Sequence, residues 1–255
     1  MSPTSQDEFD LHGKRILITG ASRGIGQAIA AGFARRGAHM VGVARSVDGL
    51  AETATLCDGS GGSFTPLPAD LRSPESIAAV VDEAVATLGG LDVLVNNAAD
   101  DHDSAIEDTS LETWQRVLDL NLQSCFVMCQ RSSAALRADG GGKVINVASV
   151  LGTVGLRDDS AYVSAKHGLI GLTRALSLEW ARRGVQVNAL APGFVETAMV
   201  NTQDEGIAGF IRSKTPMGRW ASVDEMVGPA VFLASRASDF MTGQVLVVDG
   251  GYTAQ

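Results

Sequence analysis

A short apolar run, a glycine-rich turn and a helical pattern follow one another near the start of the chain, and this succession constrains the fold more than any other feature. Lys14–Thr19 is typical of a buried parallel strand, because it is a short apolar run bounded by glycines. The turn Thr19–Gly26 reads T-G-A-S-R-G-I-G, and Gln27–Ala34 has apolar residues at helical spacing. Unpaired backbone N–H groups and the helix dipole point into such a turn, so it predicts an anion site that fits a pyrophosphate.

Three glycines of this turn have separate structural tasks. Gly20 allows the chain to turn sharply, Gly24 allows phosphates to approach the backbone, and Gly26 allows the helix to pack closely on the strand. Their spacing differs from the commonest dinucleotide-binding pattern, G-x-G-x-x-G. A glycine turn alone is weak evidence of function, since many such turns only connect a strand to a helix.

Strand-like and helix-like segments alternate without interruption along the 255 residues. The alternation predicts a single domain over residues 11–255, a Rossmann-like α/β fold with a doubly wound parallel sheet and helices on both faces. Pro66 and Pro68 cannot donate backbone hydrogen bonds, so the third strand is expected at a sheet edge, as in the order 3-2-1-4-5-6-7. The predicted strands lie near residues 15–19, 39–43, 64–69, 91–96, 143–148, 185–190 and 245–248.

A second short motif, Y-V-S-A-K at Tyr162–Lys166, offers acid/base chemistry. A free phenol has a pKa of about 10 and is a poor base at neutral pH unless a nearby cation favours the phenolate. Lys166 lies one helical turn after Tyr162 on the same face and supplies that charge. Together with the pyrophosphate turn, this motif indicates an oxidoreductase in which the tyrosine exchanges a proton and a nicotinamide exchanges a hydride.

The two motifs together resemble those of the short-chain dehydrogenase/reductase family, whose single-domain subgroup carries T-G-x-x-x-G-x-G near the start and Y-x-x-x-K past the middle. The likeness covers roughly residues 10–252. It implies that Tyr162 is the catalytic acid/base and that Lys166 also holds the nicotinamide ribose. Ser149 is implied to bond the substrate oxygen, and Asn121 to support a water chain from the lysine to solvent.

The resemblance also implies a set of cofactor contacts at the carboxyl ends of the strands. Asp70 and Leu71 match the adenine pocket, and Asn97–Ala99 would run beside the adenosine ribose. Ala99 stands where the family usually has glycine, which affects the fine positioning of the cofactor. The implied contacts are Gly20, Ser22, Arg23, Gly24, Ile25, Gly26, Arg45, Ser46, Asp70, Leu71, Asn97, Ala98, Ala99, Tyr162, Lys166, Pro192, Gly193, Val195 and Thr197.

The end of the second strand sets the preference between the two nicotinamide cofactors. A carboxylate there would bond the ribose 2′-hydroxyl and repel a 2′-phosphate, but the position is occupied by Ala44. Arg45 follows, Arg23 of the glycine turn can approach the same place, and Ser46 adds a hydroxyl. Because two guanidinium groups suit a phosphate, NADP(H) is favoured, and NAD(H) stays possible.

The sequence describes the substrate pocket only in part. The loop Asp100–Asp103, Leu151, residues 154–156 and a lid near residues 194–216 are expected to line it, and polar groups on one side suggest a polyol, a sugar or a sugar acid. Thr215–Trp220 is similar to sugar-acid dehydrogenases of the family. Ala191–Thr197 is similar to 3-oxoacyl-carrier-protein reductases, so a β-keto thioester stays open as the alternative substrate. A nucleotide-binding regulatory protein without catalysis is the alternative of another class.

The composition indicates which binding partners and which cellular compartment suit this chain. The net charge of −9 disfavours nucleic acid and anionic membranes, because both need a positive patch, and no run is long enough to span a bilayer. Residues 1–10 lack the pattern of a signal peptide, which indicates a disordered lead-in and a cytoplasmic protein.

The cysteines and one histidine are potential metal ligands or reactive groups, but neither role is expected. Cys57, Cys125 and Cys129 are expected to be buried free thiols. His102 and its neighbouring carboxylates are expected to form a solvated or substrate-facing loop rather than a metal site.

The last strand is the expected site of self-association. Gln244–Gly251 resembles the segment that packs in the tetramer interface of the family, and the helices that carry residues 114–128 and 165–180 resemble a second interface. A homotetramer, or a homodimer, is therefore expected.

Overall fold

Parallel strands in a single sheet form the centre of the molecule. The computed structural model describes residues 7–197 and 205–254, and within these ranges seven strands pair in the predicted order, β3-β2-β1-β4-β5-β6-β7. Each predicted strand overlaps an observed one, with differences of at most two residues at either end. The observed strands are β1 Arg15–Thr19, β2 His39–Ala44, β3 Ser63–Pro68, β4 Val93–Asn96, β5 Lys143–Val147, β6 Gln186–Pro192 and β7 Val245–Val248.

Helices cover both faces of the sheet, as predicted. Alternate residues of β1 point to opposite faces. Ile16 and Ile18 belong to a buried core that includes Phe33, whereas Leu17 belongs to a separate core that includes Val81. The helices are α1 Gly24–Ala34, α2 Val47–Cys57, α3 Pro74–Leu88, α4 Leu111–Leu118, α5 Ser124–Ala138, α6 Ser160–Trp180, α7 Glu205–Lys214 and α8 Val227–Ala234.

The third strand forms one edge of the sheet, as its prolines predict, and β7 forms the other. Ser63 and Ala69 donate their backbone N–H groups to carbonyl oxygens on the β2 side, at 3.0 and 2.9 Å. Because N–H groups alternate in direction along a strand, the backbone nitrogens of Pro66 and Pro68 face away from β2. The two prolines thus stand on the outer side of the edge strand.

The chain joins the core shortly before β1. Leu11 is fully buried, whereas residues 7–10 are exposed. Residues 1–6 of the predicted lead-in and residues 198–204 of the predicted lid lie outside the described ranges. Among the helices that the structure describes, none has the length and apolar character needed to cross a membrane.

Candidate active site

A cleft of about 830 Å³ runs along the carboxyl ends of β1 to β6. Ligands of open parallel α/β sheets bind at this end of the strands. Of the predicted site residues, Gly26 and Asn121 are not part of its wall. The others all line the cleft: Gly20, Ser22, Arg23, Gly24, Ile25, Arg45, Ser46, Asp70, Leu71, Asn97, Ala98, Ala99, Ser149, Tyr162, Lys166, Pro192, Gly193, Val195 and Thr197.

The glycine turn between β1 and α1 presents free backbone donors to the cleft. Gly20 and Gly24 adopt left-handed φ angles of +67° and +59°, which favour glycine. Arg23 is the N-cap residue of α1 and makes no side-chain capping bond, and the first turn has no acidic residue. The N-terminal N–H groups of α1 are therefore available to an anion, which fits the pyrophosphate of a dinucleotide.

Gly26 lies behind the turn, where α1 approaches β1. A Cβ atom on Gly26 would collide with the carbonyl oxygen of Gly20 and with Nδ2 of Asn97. Asn97 in turn donates from Nδ2 to the carbonyl oxygens of Thr19 and Gly20, at 3.0 and 3.1 Å. The family resemblance implies that Asn97 lies beside the adenosine ribose. In the structure, the hydrogen bonds of its side chain also hold the glycine turn against the end of β4.

The predicted 2′-phosphate residues meet at the end of β2. Arg23 and Arg45 are exposed and line the cleft on either side of Ala44, the last residue of β2. No ion pair joins either guanidinium to another residue in the described part of the chain. Ser46 caps α2 by accepting the amide of Gly49 at 3.1 Å, which leaves its O–H hydrogen free to donate. This set of donors suits a 2′-phosphate and lacks the carboxylate that would repel one.

Two further predicted segments complete the wall. After β3, Leu71 is buried and Asp70 accepts the backbone amide of Arg72 at 3.1 Å. After β6, Val195 is buried. A Cβ atom on Gly24 would lie 3.5 Å from Cγ2 of Thr197, so the segment after β6 closes over the glycine turn.

The predicted acid/base residues meet at the end of β5. Tyr162 and Lys166 lie one turn apart on α6, with the ammonium nitrogen 5.2 Å from the centre of the tyrosine ring. The Nζ atom of buried Lys166 donates to the Val147 carbonyl oxygen at 2.9 Å. Ser149 accepts the amide of Leu151 at 3.1 Å, and its hydroxyl also lies within hydrogen-bond reach of Tyr162.

The surroundings of Tyr162 differ from the simple expectation of a phenol beside a cation. Burial raises the pKa of Tyr162, and the charges of Asp101 and Asp159 raise it further, while a hydrogen bond with Ser149 lowers it. Burial lowers the pKa of Lys166 to about 8, and the negative charge of Asp101 is among the effects that oppose this. The tyrosine therefore stays protonated at neutral pH in this structure.

Asn121 lies behind the cleft in a π-helical turn, Asp119–Gln123, between α4 and α5. It is fully buried, and its Nδ2 atom donates to the carbonyl oxygens of Asp100 and Val117 at 2.6 and 2.9 Å. Its Oδ1 atom has no hydrogen-bond partner among the described residues. Single π-helical turns of this kind are frequent at functional sites.

Three carboxylates stand beside Tyr162, and the sequence indicated only part of this group. One side-chain oxygen each of Asp101, Asp103 and Asp159 lies within 4.8 Å of the others. The loop after β4 supplies the first two, and the N-cap position of α6 supplies Asp159. Burial, followed by the charges of Asp101 and Asp103, raises the pKa of Asp159 to about 8. Asp159 was not predicted, although its place three residues before Tyr162 was a signal that could have been used.

Asp100 has a different role from its neighbours in the predicted Asp100–Asp103 loop. It forms ion pairs with Arg116 and, at 3.6 Å, with Arg72. Its charge is therefore compensated, and it does not line the cleft. His102 is exposed, and its backbone amide donates to the Asp101 carboxylate at 2.7 Å.

The three cysteines are buried free thiols, as predicted. Burial is the largest of the effects that raise the pKa of the Cys125 and Cys129 thiols. Cys57 has its pKa raised to about 11, mainly by burial. Thiols with such pKa values stay protonated and unreactive at neutral pH.

The chain is similar to known proteins over nearly its whole length. A family model described as Enoyl-(Acyl carrier protein) reductase matches residues 20–253. The chain is 42% identical over 253 residues to 2-dehydro-3-deoxy-D-gluconate 5-dehydrogenase of Bacillus subtilis (strain 168), with 98% of each chain covered. It is 37% identical over 247 residues to D-threitol dehydrogenase of Mycolicibacterium smegmatis, covering 96% of this chain and 95% of that one.

A solved structure shows the same fold with a cofactor bound. It is a gluconate 5-dehydrogenase from Burkholderia cenocepacia J2315 in complex with NADP and tartrate. The TM-score is 0.93, the sequences are 36% identical, and 98% of each chain is covered.

Proposed function

The chain belongs to the short-chain dehydrogenase/reductase family, and from this premise we propose that its substrate is a polyol, a sugar or a sugar acid. It is an NAD(P)-dependent oxidoreductase that interconverts a secondary alcohol and a carbonyl, with NADP(H) as the favoured cofactor. The observation that carries the proposal is the placement of Tyr162, Ser149 and Lys166 in the same cleft as the uncapped N-terminus of α1.

Tyr162 is assigned as the acid/base group. When the cofactor is bound, its nicotinamide exchanges a hydride with the substrate carbon. In oxidation, the proton of the substrate hydroxyl passes to the phenolate oxygen of Tyr162 as the C–O bond becomes C=O; in reduction, the tyrosine returns that proton. The O–H of Ser149, which lies beside Tyr162, would donate to the substrate oxygen and orient it.

Lys166 and Asn121 are assigned to support this proton transfer. The Val147 carbonyl holds the Lys166 ammonium beside Tyr162, where its charge favours the phenolate. The remaining N–H groups of Lys166 are available to the ribose hydroxyls of the nicotinamide half. Asn121 holds the chain behind the lysine, where a path for water to solvent is expected by the family resemblance.

The cofactor residues are assigned from the cleft wall. The glycine turn, with Ser22 and Ile25, would hold the pyrophosphate, and Arg23, Arg45 and Ser46 would hold the 2′-phosphate. The adenine and nicotinamide halves of the cofactor would contact the predicted cleft residues that come after β3, β4 and β6. NAD(H) lacks the 2′-phosphate, so it would lose the contacts of the two guanidinium groups.

The substrate class rests on the polar wall beside Tyr162 and on the relatives. Carboxylates there accept hydrogen bonds, and a polyhydroxylated carbon chain donates them at every carbon. The two curated relatives are named for a sugar acid and for a polyol. Leu151 and Leu156 line the cleft as well and would contact the C–H groups of the substrate.

The second candidate is reduction of a 3-oxoacyl thioester. The matching family model is named for an enoyl thioester on an acyl carrier protein, which favours a thioester, and the similarity of Ala191–Thr197 to 3-oxoacyl-carrier-protein reductases favours the 3-oxo group. The same tyrosine chemistry would serve a β-keto group. An acyl chain, however, offers few hydrogen-bond donors to the carboxylates of Asp101, Asp103 and Asp159, so the polyhydroxylated substrate is preferred.

We also propose the arrangement and compartment of the working protein. Residues 11–255 would form one catalytic domain, in which the segment near residues 194–216 covers the substrate; Ile211 of α7 lines the cleft. A homotetramer is supported by the half-exposed edge strand β7 and by exposed apolar side chains on α5 and α6. Buried free thiols suit a reducing compartment such as the cytoplasm.

The decisive experiment follows nicotinamide absorbance with the wild type and Tyr162→Phe. The panel contains polyols, sugars, sugar acids and β-keto thioesters, each with NADP(H) and NAD(H). Loss of the acid/base hydroxyl should lower kcat at least about 100-fold while cofactor binding is kept. Tyr252→Phe removes the other tyrosine hydroxyl of the chain and serves as the matched control.

Two outcomes would contradict the proposal. Turnover of thioesters without turnover of any polyhydroxylated compound would favour the second candidate. Equal turnover by the wild type and Tyr162→Phe would remove Tyr162 from the acid/base role.

A further inference from the structure

The carboxylates of Asp101, Asp103 and Asp159 form a continuous acidic wall beside the reacting tyrosine. All three line the cleft, and one oxygen atom of each lies within 4.8 Å of the other two. The loop after β4 is tied to the start of α6 by a backbone bond from Ser104 to the Asp158 carbonyl oxygen, at 2.7 Å. The fold therefore holds the acidic wall together across two distant parts of the chain.

The charge of this wall is not compensated by ion pairs. Within the described ranges, no ion pair reaches Asp101, Asp103 or Asp159, whereas neighbouring Asp100 pairs with arginines. Arg157 pairs with Asp158 at 3.4 Å and does not line the cleft. The nearest cation that lines the cleft is Lys166, whose ammonium is bound to the Val147 carbonyl. The cleft arginines, Arg23 and Arg45, stand at the opposite end.

Asp159 has an unused hydrogen-bond acceptor. It is only 1% exposed, and its Oδ1 atom has no hydrogen-bond partner among the described residues. A buried polar oxygen without a partner is costly, and a ligand that donates a hydrogen bond to it removes the cost. A hydroxyl group can donate, whereas a carboxylate at neutral pH can only accept.

We propose that Asp101, Asp103 and Asp159 determine specificity: all three accept hydrogen bonds from the hydroxyl groups of an uncharged polyol or sugar, and the charges of Asp101 and Asp103 repel sugar acids. The inference rests on the proposed function, because it narrows the substrate class of the same cleft. A sugar carboxylate bound beside the acidic wall would meet like charges in a partly buried place, where charge repulsion is strong. Of two compounds with the same carbon chain, the uncharged polyol is therefore a better substrate than the sugar acid.

The test uses pairs of compounds that differ only at one terminal group: D-glucitol with D-gluconate, and D-threitol with D-threonate. The ratio of kcat/KM for the acid to kcat/KM for the polyol is measured with NADP⁺ in the presence of EDTA. For the wild type, the polyol should be favoured at least about 10-fold, which corresponds to about 1.4 kcal/mol. Because both values come from the same preparation, loss of folded enzyme cancels in the ratio.

Variants then connect this ratio to the acidic wall. Asp101→Asn and Asp103→Asn should each raise the acid-to-polyol ratio about 10-fold by removing a negative charge without changing side-chain size. Asp103 is exposed, so its variant is expected to fold even where a more buried change does not. Asp82→Asn on α3 changes the net charge equally, lies outside the cleft wall, and should leave the ratio unchanged.

Three outcomes separate the possibilities. If sugar acids are favoured and the variants leave the ratio unchanged, the inference is overturned while the proposed function stands. If neither member of any pair is turned over in a Tyr162-dependent manner, the proposed function fails and the inference fails with it. If Mg²⁺ or Ca²⁺ instead of EDTA makes the acids the better substrates, the carboxylates hold a cation, and the inference is again overturned.

Discussion

Tyr162 is subject to opposing charges. Lys166 favours its phenolate, as the sequence predicts, but Asp101 and Asp159 oppose proton release, and burial opposes it most. The balance decides the pH at which the enzyme can accept a proton from an alcohol. The carboxylates near Tyr162 are thus expected to influence the reaction rate as well as the choice of substrate.

Asp101→Asn should shift the pH profile of alcohol oxidation to lower pH. We expect the wild-type rate to rise with pH as Tyr162 loses its proton, and the charge of Asp101 raises the pKa of Tyr162. Without that charge Tyr162 loses its proton more easily, so the rising limb of kcat/KM against pH should move down by about 1 pH unit. A polyol is used as substrate, so that the protonation of a sugar acid does not contribute.

Asp82→Asn is the control for this shift, because it removes an equal charge from an exposed position on α3. A profile that stays in place for Asp101→Asn, or moves equally for Asp82→Asn, would contradict a direct effect of Asp101 on the tyrosine.

The sequence predicted those parts of the site that depend on local geometry. Tyr162 and Lys166 are four residues apart in one helix, so their common face follows from the helical repeat. Ala44 was identified because the end of the second strand has a fixed relation to the cofactor ribose. Asp159 could not be placed beside Asp101, because their proximity depends on a contact between the loop after β4 and the start of α6.

At the scale of elements, the junction of β1, the glycine turn and α1 is the tightest part of the site. α1 approaches β1 so closely that only a hydrogen atom fits at Gly26. The sequence predicted this packing from the third glycine of the turn. It did not predict the π-helical turn Asp119–Gln123, because one wide turn hardly changes an apolar helical pattern.

Gly26→Ala should weaken both cofactor binding and folding. The added methyl would stand 2.9 Å from the carbonyl carbon of Gly20, so the turn must move. We expect a loss of about 1 to 3 kcal/mol in the free energy of unfolding and about a 10-fold rise in the Kd for NADP(H). Denaturant unfolding and a fluorescence titration with NADPH measure the two effects.

Gly228→Ala on α8, outside the proposed interfaces, is the matched control. A Cβ atom on Gly228 would have no atom within 4 Å, so the change should raise the free energy of unfolding by at most about 1 kcal/mol and leave cofactor binding unchanged. Wild-type affinity for NADPH in Gly26→Ala would contradict the role assigned to the close packing of α1.

At the scale of the whole molecule, the exposed apolar surface supports self-association. Leu178 on α6 is 83% exposed and Phe126 on α5 is 46% exposed. The interior strands are buried on both faces, whereas β7 is only half-buried. The order of the strands and both layers of helices were predicted from the alternation along the chain, but association depends on surfaces that no periodicity describes.

Leu178→Glu should dissociate the proposed homotetramer at micromolar concentration, because it places a charge on an apolar contact. Light scattering after size exclusion measures the mass. Leu56→Glu is the control: Leu56 is 50% exposed on α2, outside the proposed interfaces. A monomeric wild type would contradict the proposal.

The two edges of the sheet are unequal templates for strand addition. On the outer side of β3, Pro66 and Pro68 remove two of the three outward N–H groups and leave only that of Phe64, so this edge resists the growth of intermolecular β-structure. β7 lacks prolines and keeps its outward donors. A partly unfolded population of this protein should therefore aggregate through the β7 edge. A segment of chain that pairs with β7 would then inhibit fibre growth, whereas a segment offered to β3 would not.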